Sequence, residues 1–190
     1  MAKKYEFKPD RPYSGFWGKL LLTKLQRRAL LKWCLYALFL LVLSVLQDVL
    51  LCRVKLFGTT TELVPCGIFL ICMLEGLEQG CIFALAASVL YLFSGTAAGV
   101  HSIVLITLLA CGVTAFRQSF LQKGFGAAMV CTAAAMVAYE LAVFFICLFL
   151  GQATFVRIGS FLMTAVLTML TAPVMYPVLK AIAGGEAWKE

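Results

Sequence analysis

Glu140 is the residue whose chemistry stands out first. It follows Tyr139 and precedes the apolar run Leu141 to Phe145, inside a long uncharged stretch. An acid deep in an apolar helix is costly in lipid and is a functional candidate by default: it could carry a proton, bind a cationic group or pair with a partner's helix. The structural alternative is a neutral glutamate bonded to a Ser, Thr or Tyr of a neighbouring helix. Four further charged or titratable positions belong to the same search. Asp48 closes an apolar run just before Arg53 and Lys55, and as a solvated helix end it would pair with one of them. Glu75 and Glu78 stand three apart, on one face if helical, and read as a solvated turn or a contact for a basic partner. His101 follows Gly95-x-x-x-Gly99. It could sense pH or bind a ligand, or simply start a helix. The two glycines lie between apolar runs, so a turn is preferred there to a helix-packing motif.

No nucleophile–base pair, phosphate loop or metal cluster is legible, so neither an enzyme nor a cofactor is expected. The eight cysteines include no C-x-x-C pair. They read as small apolar residues and not as metal ligands or a disulfide framework. Only Cys52 and Cys66, which fall near the same membrane face, offer a possible bridge.

The elements that must position these residues are apolar helices. Of 190 residues, 63% are hydrophobic, more than a soluble domain of this size can bury, so the chain reads as an all-α integral membrane protein. Its runs do not alternate as barrel strands would. Spans are expected near Trp33–Leu51, Cys66–Leu74, Cys81–Phe93, Val100–Phe116, Ala127–Leu150 and Ile158–Leu179. The stretch from Cys81 to Phe116, folded back at Ser94 to Gly99, reads as the hairpin around which the rest is built. A single helix over residues 64–93 would bury Glu75 and Glu78 in lipid, and Gly76 and Gly80 favour a break instead. Charge placement agrees. With six spans, Arg117, Lys123, Lys180 and Lys189 lie inside and Arg53, Lys55 and Arg157 outside; five spans reverse that bias.

The net charge is +7, and nine of the sixteen Lys and Arg residues fall between Lys3 and Lys32. Residues 1–32 therefore read as a basic cytoplasmic and interfacial segment, attracted to anionic lipids, ahead of a six-helix domain over 33–180 and a cytoplasmic tail over 181–190. Nucleic-acid binding is not expected, because no basic folded surface remains elsewhere.

From about Leu41 to Gly151 the chain resembles the MreD family of rod shape-determining membrane proteins. The resemblance rests on Leu90-Tyr91-Leu92-Phe93-Ser94-Gly95-Thr96-Ala97-Ala98-Gly99-Val100-His101, on Leu46-Gln47-Asp48, and on Phe57-Gly58 through Pro65. Tyr91 stands where the family pattern has an Asp before the Ser-Gly turn. The resemblance implies a multi-pass protein of the bacterial cell membrane, both termini cytoplasmic, that binds an MreC-like protein and helps couple MreB filaments to peptidoglycan synthases in cell-wall elongation. The family is similar in its six-helix architecture to the substrate-binding subunits of energy-coupling-factor vitamin transporters. That gives an alternative, a small-molecule-binding transport subunit. Its hallmark would be a polar and aromatic cluster in sizeable outer loops, and the loops here are short.

Overall fold

The structure, a computed structural model, describes residues 24–51, 59–120 and 124–184. The basic segment before Lys24, the loop with Cys52, Arg53 and Lys55, and the tail after Gly184 lie outside the described residues. So do the proposed Cys52–Cys66 bridge and the proposed partners of Asp48.

Six α-helices run in chain order: α1 (Lys24–Leu46), α2 (Leu63–Glu75), α3 (Leu77–Phe93), α4 (His101–Phe120), α5 (Phe125–Phe149) and α6 (Ile158–Ala183). No strand occurs among the described residues. The protein is thus an all-helical membrane protein. Four segments, Ala29–Val49, His101–Ser119, Phe125–Phe149 and Phe155–Ala183, are long and apolar enough to cross a bilayer. α2 has 13 residues and α3 has 17. At ~1.5 Å per residue, α2 spans only about 20 Å, short of the ~30 Å hydrocarbon core.

The shortest helix is the centre. Every residue of α2 from Leu63 to Leu74 is buried, and α1, α3, α4, α5 and α6 all pack against it. This corrects the expectation that the bundle is organised around the Cys81–Phe116 hairpin. A helix apolar all round belongs inside a bundle. By contrast α1 turns one stripe inward, Tyr36, Leu40, Leu43 and Gln47, and leaves Leu38 and Leu41 exposed. Gly67 brings α2 close to α1: an added Cβ there would meet Leu43 Cδ1 at 2.9 Å and Leu40 Cδ2 at 3.1 Å.

The break between α2 and α3 falls at Gly76, whose φ of 93° ends the helix. Beyond it Gly80 lets α3 lie against α2, with Cys72 Sγ donating to the Gly80 carbonyl at 3.1 Å. Two short helices are therefore present, as the acidic pair and the glycines imply. The acids themselves behave differently from the expectation of a shared solvated face. Glu75 ends α2, and its carboxylate accepts from the Tyr36 hydroxyl at 2.5 Å and pairs with Lys32 Nζ at 2.5 Å. Glu78 sits exposed in the first turn of α3. The break rotates the two side chains apart, so only one is solvated.

The Ser94–Gly99 turn follows the sequence reading. Gly95 and Gly99 adopt φ of 79° and 148°, values that L side chains rarely reach. Ser94 Oγ donates to the Tyr91 carbonyl at 2.7 Å. The hairpin also sets Cys81 on α3 beside Cys111 on α4, 5.5 Å apart between Cα atoms, and joins them in a disulfide. That corrects the reading of Cys81 and Cys111 as small apolar residues without a bridge. Cys66 is free and buried.

Candidate functional site

The polar side chains that the apolar helices carry inward gather around Glu62, the residue that precedes α2. Its backbone N–H donates to Thr168 Oγ1 of α6 at 3.0 Å. Its carboxylate faces the Tyr91 hydroxyl of α3 at 3.4 Å, and the Tyr139 hydroxyl of α5 also turns toward it. Tyr139 donates in addition to Ser102 Oγ of α4 at 3.5 Å. From α1, Gln47 Oε1 accepts the Val64 N–H at 3.2 Å. Every helix thus contributes to one buried polar centre. Gln47, Tyr91, Ser102, Tyr139, Glu140 and Thr168 are all buried within it.

Local sequence explains why these groups point inward. On α5, Ala128, Cys131, Ala135, Tyr139 and Val143 recur at helical spacing and are buried. The small residues let neighbours approach closely, and Tyr139 and Glu140 continue that inward face. On α1 the helix widens into a π turn, Gln47–Leu51, which is a common way to re-aim side chains at a working site. Gln47 continues the Tyr36, Leu40, Leu43 stripe and reaches the start of α2.

Glu140 is 2% exposed, and its Oε1 has no hydrogen-bond partner among the described residues. The expected bond to a neighbouring hydroxyl is therefore not made by that oxygen. What faces Glu140 electrostatically is a second acid, Glu62. Two carboxylates in one polar cluster repel each other when both are ionised. In the sequence Glu62 stands outside the apolar runs, four residues before Cys66, with nothing to mark it as a partner of Glu140.

The other expected positions divide between this centre and the rest of the molecule. Tyr91 belongs to it through Glu62. Asp48 lies one residue from Gln47 in the π turn, with a buried Oδ1 lacking a partner among the described residues. His101 is the first residue of α4, as a helix start should be. Its ring lies against Gly99, where an added Cβ would come within 2.8 Å of Cε1, and its Nε2 is buried without a partner among the described residues. Gly95 and Gly99 shape the turn and take no part in the centre. Glu75 and Glu78 lie where α2 gives way to α3, at the opposite ends of those helices. Among the described residues no group of three His, Cys, Asp or Glu side chains is placed to hold a metal ion.

The centre sits at an informative depth. It lies where α2 and α4 begin and α3 ends, but midway along the two longest helices. From Tyr139 to Phe149, and from Ile158 to Thr168, α5 and α6 extend ten residues past it, about 15 Å each. There they pack on one another through Phe144, Phe155 and Phe161, with ring centroids 5.5–6.5 Å apart.

The chain matches no protein-family model, no curated protein and no solved structure.

Proposed function

We propose that this protein is a non-catalytic scaffold in the bacterial cell membrane, part of the cell-wall elongation machinery that determines rod shape. It crosses the membrane six times with both termini cytoplasmic and binds an MreC-like protein, in one complex with MreB and peptidoglycan synthases. The basic segment before α1 holds anionic lipids. The observation that carries this reading is the packed centre. α2 is buried from Leu63 to Leu74, with the other five helices packed against it. The resembling segment, Leu90 to His101, also has a structural role: it closes the α3–α4 hairpin and supplies Tyr91 to the polar centre.

Depletion in the rod-shaped host is expected to round the cells, and the tagged protein should copurify with a membrane-anchored MreC protein. Normal shape together with lost uptake of a vitamin would replace this reading with the second one, a substrate-binding transport subunit. That second reading is favoured by the two facing acids, Glu62 and Glu140, and the tyrosines beside them. For topology, single cysteines in a Cys-free background should be labelled from the cytoplasm at residues 78 and 120. Labelling of either from outside contradicts six spans.

A further inference from the structure

The opposite end of the bundle carries a second group of buried polar side chains. Arg117, in the last turn of α4, is 8% exposed, yet no ion pair joins it to an acid among the described residues. Glu75, the buried acid at this end, is already taken by Lys32. Thr114 lies one turn before Arg117 on the same face, 1% exposed, and its hydroxyl has no partner among the described residues. From α6, Tyr176 is 4% exposed, its hydroxyl has no partner among the described residues, and it lies within electrostatic reach of Arg117. A buried cation without a counter-charge is strongly destabilising, and buried hydroxyls are normally bonded.

The start of α5 adds donors at the same place. The Tyr176 ring packs edge-on against that of Phe125, the first residue of α5, with centroids 4.9 Å apart. Gly124 caps that 25-residue helix without a side-chain bond, and the first helical bond is Ala128 N–H to the Gly124 carbonyl. The N–H groups of Phe125, Gly126 and Ala127 therefore have no helical acceptor. At Gly126 an added Cβ would meet nothing within 4 Å, so the space is open. Lys180 stands one turn beyond Tyr176 on α6. A free helix N-terminus, a guanidinium and a hydroxyl, gathered at the same end of the bundle, suit a tetrahedral oxyanion.

We propose that Arg117, Tyr176 and the N-terminus of α5 hold a phosphate group, from a phospholipid headgroup or a soluble phosphate. This proposal does not depend on the scaffold reading. The experiment uses the full chain in detergent. Thermal unfolding is followed while phosphatidylglycerol, phosphatidylcholine or inorganic phosphate is added, and native mass spectrometry counts bound lipid. Phosphatidylglycerol is expected to raise the unfolding temperature more than phosphatidylcholine does, and Arg117→Gln to weaken that response at least tenfold in lipid concentration. A response to inorganic phosphate alone, lost in Arg117→Gln, also supports the site and names a soluble ligand. Gly126→Glu guards against a variant that fails to fold: an acid in the first turn suits the helix but repels the anion, so the fold should persist and the response disappear. Equal responses of wild type, Arg117→Gln and Gly126→Glu overturn the proposal. So does Glu186→Gln or Glu190→Gln lowering stability as Arg117→Gln does, because the counter-charge would then be the chain's own.

Discussion

Glu62 and Glu140 make the polar centre testable one atom at a time. Glu140→Gln keeps the shape of the side chain and removes the mutual repulsion of two acids, so stability in detergent is expected to hold or rise. Glu140→Leu removes the same repulsion, and its Oε1 leaves no hydrogen-bond partner behind among the described residues, so this variant too is expected to hold or raise stability. A thermal-shift comparison of the two variants checks this; equal destabilisation by both would mean that the charge itself is needed, with a bound cation as the reason. At the other end, Lys32→Met strands the Glu75 carboxylate, whose side chain is 4% exposed. It should cost more than Glu75→Gln, which can still accept from Tyr36, the difference being about 1–3 kcal/mol. Glu140 was legible in the sequence because an acid within an apolar run has few innocent explanations. Glu62 was not. It stands outside its run, where an acid before a helix ordinarily meets water, and only the fold turns it toward Tyr91 and Tyr139. Glu75 misled for a similar reason: Lys32 lies too far away in sequence to advertise itself as its partner.

At the scale of elements, the positions of the helices were legible and their ranks were not. Each expected run became a helix, with ends shifted by up to four residues except in the first, which begins nine residues early at Lys24, within the segment expected to lie ahead of the bundle; uninterrupted apolar stretches bounded by Gly, Ser and charges leave little choice in lipid. That α2 would be central could not be read, since a helix apolar on every side carries no face to say what it packs against. The Cys81–Cys111 pair was implicit in the hairpin: a fold-back centred on Thr96 and Ala97 sets these two residues opposite one another to within one position. Gly76 is the element-level test. Its φ of 93° with ψ of −178° is a glycine conformation, and an added Cβ would lie 3.0 Å from Gln118 Nε2. Gly76→Ala is expected to cost about 1–3 kcal/mol, visible as a lower unfolding temperature. An unchanged value would show that α2 and α3 join differently.

For the molecule as a whole, helix length is distributed unevenly around the perimeter. α3 meets lipid through Ile82, Leu90 and Phe93 and is 17 residues long, about 26 Å. α6 meets lipid through Val166, Leu170 and Val174 and is 26 residues long, about 39 Å. A bilayer with a hydrocarbon core of ~30 Å fits neither flank. Mismatch of this kind is relieved by tilt or by local thinning and thickening, at fractions of a kcal/mol per Å. The protein should therefore be most stable in vesicles of intermediate acyl length and lose stability in both shorter and longer ones, a dependence that unfolding in a chain-length series would reveal. The surrounding lipid film then becomes a wedge, thinner beside α3 than beside α6. Neighbouring membrane proteins would feel that gradient without touching the chain, those with short spans drifting to one flank and those with long spans to the other.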